Sequence, residues 1–145
     1  MAGAAGHAKP MPRVVQVMDW FAPYVGLRFG DGPGQLTCWG LVRRVYADRV
    51  GVDLPAYGEI SAKDLIRVAR AMAAAKDDGW RAVSVPQALD VALMRSGRGG
   101  AAVVHVGVMV DNARVLHVEA ASAAVVVPIR HHSIAGRIVG YRRLA

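Results

Sequence analysis

Only one cysteine, Cys38, occurs in the 145 residues. That excludes an internal disulfide and any structural metal site built on several thiolates, so burial of apolar groups must hold the core. Long apolar runs are also missing: none approaches the roughly 18 residues that a membrane span needs. The first residues, MAGAAGHAKPMPR, have no apolar central region and do not read as a secretory signal, which sets the expectation of a chain made in the cytoplasm. Acidic residues are scarce, eleven against eighteen Lys and Arg, and the resulting charge of +7 raises an anionic partner as a class. No RNP, KH or zinc-finger pattern accompanies the charge, and GDGPG at 30 to 34 lacks the Lys-Ser/Thr of a phosphate loop. No nucleic-acid partner is therefore expected. HExxH and G-x-S-x-G are absent, which argues against a zinc protease and a serine-elbow hydrolase.

What is present describes an ordered domain: 54% of the residues are hydrophobic and 20% charged. Residues 1–13 read as a flexible arm and 14–145 as one domain. Val14, Val17, Met18, Phe21 and Tyr24 recur at helical spacing and predict a first helix. After the Gly-rich stretch GLRFGDGPGQLT, Thr37 is placed to cap a second helix whose stripe runs Trp39, Val42, Val45 and Tyr46 until Gly51. Ser61 and Asp64 mark the start of a third, carrying Leu65, Val68, Ala69 and Met72 and ending near Gly79. The period then changes. ALDVALMR, AAVVHVGVMV, ARVLHVEA, AAVVVPI and GRIVGYRR are short segments, mostly β-branched, separated by Gly, Asp, Asn or Pro. Helices first and strands after predict an α+β fold, with helices packed on an antiparallel sheet of about five strands.

On this reading Cys38 lies in the first turn of the second helix, where free amides and the helix dipole favour a thiolate and can bring its pKa to ~3.5–7.5. A lone cysteine is more often core filler, and position alone leaves both readings open. Histidines bear on the choice, because a cysteine nucleophile is activated by an imidazole that a third polar group orients. His7 lies in the arm, and His131 and His132 are neighbours in a loop, so all three read as surface residues. His105 and His117 each interrupt an apolar strand. Side chains alternate along strands, so these two share a face only if their hairpin loop has an odd number of residues. With Asp111, Asn112 and Ala113 as a three-residue loop, Val110 pairs with Arg114, Gly107 with His117, and His105 with Glu119. The histidines become diagonal neighbours, roughly 7 to 8 Å apart at Cα. Zinc is the rival use. His117-Val118-Glu119 has the H-x-E spacing of zinc deaminases, but their P-C-x-x-C is missing, and no metal or cofactor is expected.

Taken together, CWGLVRRVYADRVGVDLPAY and HVGVMVDNARVLHVEA resemble the NlpC-type cell-wall cysteine peptidases, above all those carried in phage tails and gene transfer agents. The resemblance runs from about Tyr24 to Tyr141. It includes QALDVAL, in which Leu89 stands where the family has the glycine of a Gly-Asp strand start. It implies a reduced papain-like fold with Cys38 as nucleophile, His105 as general base and acid, and His117 orienting His105. The implied substrate is the peptide stem of peptidoglycan, and the implied setting is a virion tail tip with other tail-tip or hub proteins as partners. A hub protein of the same fold with little or no catalysis is the alternative. The family often has Asp before the cysteine and Ser after it, where Thr37 and Trp39 stand here. Where many members have an upstream PYxWGG segment this chain departs, with GLRFGDGPG in its place offering Phe29 and with Tyr24 further back; Trp39, Phe29 and Tyr24 are the residues expected to bind substrate.

Overall fold

In a computed structural model of the chain, residues 19–56 and 79–145 are described. Within them Cys38–Arg49 forms an α-helix, α1. Thr37 caps it, with backbone in the extended region and Oγ1 accepting the Gly40 amide at 3.0 Å. Cys38, Leu41, Val42, Val45 and Tyr46 are its buried residues, a stripe at i, i+3, i+4, i+7 and i+8. The stripe takes in Cys38 and leaves Trp39 half-buried at its margin. Gly51, at φ +74°, ends the helix in a left-handed conformation that a side chain would resist, while the Val50 and Val52 amides turn back to the Tyr46 carbonyl.

The predicted first helix is corrected where it is described. Residues 19–21 form a turn and Ala22–Tyr24 a single 3-10 turn. Pro23 offers no amide hydrogen and biases Ala22 away from the α region, which breaks the pattern that the apolar spacing suggests. The remainder of that helix, the arm and the third helix lie outside the described residues.

Two short strands, β1 (Arg28–Phe29) and β2 (Gln35–Leu36), pair across the Gly-rich loop. Six more form an antiparallel sheet: β3 (Trp80–Val83), β4 (Val91–Arg95), β5 (Val103–Met109), β6 (Arg114–His117), β7 (Val125–Pro128) and β8 (Ile138–Leu144). Their order is β3-β8-β4-β5-β6-β7, so β8 lies between β3 and β4. The sixth strand, β3, was not expected. It is an edge strand with two exposed residues and two half-buried ones, so its sequence carries no clear apolar alternation.

Alternation divides the sheet's two faces. Val106, Val108, Val110, Leu116, Val118, Val91 and Leu93 pack with α1 in the main core. Ala92, Met94, Met109, Val115 and Ile134 form a second cluster. The first turn of α1 is carried against β5 in this way, because Cys38 and Val106 belong to the same buried group.

Candidate active site

The hairpin of β5 and β6 sets the site. Val108 pairs with Leu116 and Met109 with Val115, and the Val110 amide donates to Arg114 at 3.0 Å. This is the register of a three-residue loop. Asp111 fixes that loop: its Oδ1 accepts the Ala113 and Arg114 amides at 2.9 and 2.8 Å, and its Oδ2 pairs with Arg114 Nε at 2.8 Å. These donors hold the Asp111 carboxyl below its usual range. The odd loop brings His105 and His117 to one place. His105 Nε2 and His117 Nδ1 are 2.9 Å apart, with ring centroids 5.2 Å apart and planes at 71°.

Gly107 makes this approach feasible. A Cβ there would lie 2.7 Å from Val115 Cγ2, 2.9 Å from the Leu116 carbonyl oxygen and 3.1 Å from His117 Cβ. Both histidines are buried, at 6% and 3% exposure. Burial, then the neighbouring His117, pushes the His105 imidazole down to about 3, and burial lowers His117 as well. Both rings are therefore neutral at pH 7 and share one hydrogen bond. His117 Nε2 is buried with no hydrogen-bond partner among the described residues. A histidine kept only to stabilise a sheet is expected to have both nitrogens satisfied, so this atom argues for a functional pair.

Sequence reasoning gave Glu119 a position opposite His105 but no role. In the structure Glu119 Oε1 lies 3.9 Å from His105 Nε2 and 3.8 Å from His117 Nδ1. Arg137 Nη1 holds the same oxygen at 2.5 Å. Arg137 is itself fixed, donating from Nε to the Arg95 carbonyl and from Nη1 to the Ser133 carbonyl, each at 2.9 Å. No local signal in AGRIVG indicates this placement; the turn before β8 supplies it.

Cys38 is 8% exposed, and its sulfur lies beside the amides of Val106, Trp39 and Cys38 itself. Burial outweighs those amides and pushes the thiol up to about 11, so the expected lowering by the helix start is corrected: the resting group is a neutral thiol. Val106 directly follows His105, so the sulfur lies against the strand that carries this histidine. The hydrogen bond formed by His105 is to His117.

The three residues expected to bind substrate are arranged differently from one another. Tyr24 is 4% exposed and is part of the core, with its hydroxyl donating to Asp48 Oδ2 at 2.8 Å. Phe29 is half-buried against the same core. Trp39, also half-buried, donates from Nε1 to the Pro55 carbonyl at 2.8 Å.

The start of β4 supports the site from below. Leu89 has φ +76°, a left-handed conformation that suits glycine and strains a leucine. It is held there on both sides: its amide donates to the Met109 carbonyl at 2.8 Å, and its carbonyl accepts the Tyr46 hydroxyl. Asp90, 1% exposed, accepts two bonds from Arg143, at 2.8 and 2.7 Å, and the Gln87 amide at 2.8 Å. Its backbone carbonyl accepts the Met109 amide at 2.7 Å, which ties the start of β4 to the far end of β5.

Comparison with known proteins agrees with this geometry. The NlpC/P60 family model matches residues 24–143. Among solved structures, a lipoprotein-like NLP/P60 family protein of Staphylococcus aureus is 26% identical with a TM-score of 0.60, over 91% of this chain and 41% of that one. An NlpC/P60 family protein of Bacillus cereus is 18% identical with a TM-score of 0.61, over 89% of this chain and 39% of that one. The NlpC/p60 domain of the peptidoglycan hydrolase SagA is 17% identical with a TM-score of 0.52, over 88% and 95%. The chain thus spans about two fifths of the first two and nearly all of the third. No curated protein sequence matches. The architecture is the reduced papain-like one, α+β with α1 against a six-stranded antiparallel sheet.

Proposed function

Since the chain belongs to the NlpC/P60 family, whose members are generally hydrolases of cell-wall peptidoglycan, we propose that it is a cysteine endopeptidase that cuts the peptide stem of that polymer. The observation that carries this reading is the pairing of His105 Nε2 with His117 Nδ1 at 2.9 Å, on the strand against which the start of α1 sets Cys38.

The roles follow from the nitrogens. With Nε2 of His105 donating to His117, Nδ1 of His105 is the free acceptor for the thiol proton. Cys38 Sγ adds to the amide carbonyl carbon while its proton passes to His105 Nδ1, and a tetrahedral oxyanion forms. The amides at the first turn of α1, those of Cys38 and Trp39, are the donors for that oxyanion. His105 returns the proton to the leaving amine, the C–N bond breaks, and a thioester remains. Water, deprotonated by His105, then releases the acid and restores the thiol. Because thiol and imidazole both rest neutral, charge develops during attack, when the oxyanion donors can offset it.

In the finer reading the peptidase is carried in a phage-like tail tip, beside hub proteins, and opens the wall locally as the tail passes. It rests on the likeness of CWGLV and HVGVMVDN to tail-borne members. An antibody to the chain should label one end of purified tailed particles; particles free of the chain would remove this setting.

Mass spectrometry of muropeptides from purified sacculi tests the chemistry. Wild type should release stem-peptide fragments and Cys38→Ala none, while equal release by the variant would dismiss Cys38 as nucleophile. The second reading, a hub protein that keeps the fold without useful catalysis, is favoured by one observation, the thiol pushed up to about 11. It predicts that sacculi stay intact in the presence of the folded wild-type chain.

A further inference from the structure

The chain lacks the zinc-deaminase signature, but the β5–β6 hairpin and the residues just after it assemble a different donor set. His105 Nε2, His117 Nδ1 and Glu119 Oε1 form a triangle with edges of 2.9, 3.9 and 3.8 Å. A triangle of those edges has a point about 2.1 Å from all three corners, which is the Zn–N and Zn–O bond length. We propose that His105, His117 and Glu119 form a binding site for one divalent transition-metal ion of the zinc type, and that an ion held there silences the peptidase.

Several observations support the site. The donors are two imidazoles and a carboxylate, a set that suits zinc and its neighbours rather than magnesium or calcium. Their atoms converge without a change of register; ligands around a tetrahedral ion stand about 3.3–3.4 Å apart, so the two rings open and the Glu119 carboxylate closes in, each by about half an ångström. Arg137, itself tied to two carbonyls, donates to the same Glu119 Oε1 and fixes where that oxygen stands. The Glu119 side chain is 39% exposed, which gives the ion a way in and leaves room for water as fourth ligand.

Silencing follows from the tautomers, and this half rests on the peptidase reading. To ligate through Nε2, His105 must move its proton to Nδ1, with no proton gained or lost overall. Nδ1 is then a donor and cannot take the proton of Cys38. The ion and the catalytic tautomer are mutually exclusive.

The test uses the full chain at neutral pH, with Zn(II) in equilibrium dialysis and Co(II) in visible absorption. One ion per chain should bind, and Cys38→Ala should bind like wild type, with no thiolate signature in the Co(II) spectrum. Glu119→Ala, at a partly exposed position that leaves the core intact, should weaken binding at least tenfold. His117→Ala should remove stoichiometric binding, and the double variant His131→Ala, His132→Ala should keep it. Absence of stoichiometric binding to wild type overturns the site, as does unchanged affinity in Glu119→Ala or loss in the His131, His132 variant. For the silencing, Zn(II) should stop fragment release from sacculi and a chelator restore it. Cleavage that continues with the site filled removes the silencing and leaves the site. A chain that binds the ion yet never cleaves, with or without chelator, removes the peptidase reading and leaves the site.

Discussion

Replacing Gly107 by alanine isolates the contact on which the histidine pair depends. The new methyl would meet Val115 Cγ2 at 2.7 Å, the Leu116 carbonyl oxygen at 2.9 Å and His117 Cβ at 3.1 Å. The valine can rotate, but the carbonyl belongs to the backbone of the facing strand, so β5 and β6 must separate by about half an ångström or more to restore ordinary contact. Overpacking of this kind costs about 1–3 kcal/mol. The same separation lengthens the 2.9 Å His105–His117 bond beyond hydrogen-bonding reach. Urea denaturation followed by circular dichroism should show the loss in stability at unchanged m-value. Fragment release should fall by about tenfold or more, since the base loses its orienting partner. Gly97→Ala is the control. The nearest atoms to its methyl would be those of the Arg137 side chain, at 3.6 Å and beyond, and stability should stay within about 0.5 kcal/mol. A Gly107→Ala chain as stable and as active as wild type would refute the claim that this glycine makes the pair.

Three further outcomes are expected. His105 titrates near 3 when folded, below its usual 6.5, so the unfolded chain binds the proton first and stability falls as pH drops from about 6.5 toward 3. At pH 5 this one ring should cost about 2 kcal/mol relative to pH 7. Denaturation against pH in wild type and His105→Gln measures it, with His117, Glu119 and Arg137 as the groups facing the ring, and parallel profiles would contradict it. Asp90→Asn leaves Arg143 facing a neutral amide in place of a two-bond ion pair and should lower the denaturation midpoint. Thr37→Ala removes the cap on the Gly40 amide and should cost about 1 kcal/mol; it should slow fragment release more than it destabilises, because the same turn carries Cys38.

The parts of the fold that were legible in the sequence are those with local causes. Thr37 and Gly51 bound α1 because capping and left-handed backbone are properties of single residues. The hairpin register was readable because an odd loop has only one consequence for strand parity, and Asp111 enforces it through bonds within three residues. What was hidden depends on distant partners. Arg137 reaches Glu119 from a turn eighteen positions away, and β3 is a strand only because β8 pairs with it. The thiol's upward shift was also hidden: the helix start is visible in the sequence, while the burial that overrides it is made by the sheet. Leu89 lies between these cases. The sequence shows it standing where the family has a glycine, and its positive φ is held by partners at Met109 and Tyr46.

The position of β8 between β3 and β4 has a consequence for how the chain acquires this structure during synthesis. Until residues 138–144 emerge, β3 has no neighbour in the sheet and β4 is bare along one side. Asp90 meanwhile waits for Arg143, fifty-three residues downstream, with a carboxylate that cannot be buried alone. The hairpin that carries both histidines is local and can form early. We therefore expect the β5–β6 arm to be in register before the sheet is closed, with β8 acting as the bolt.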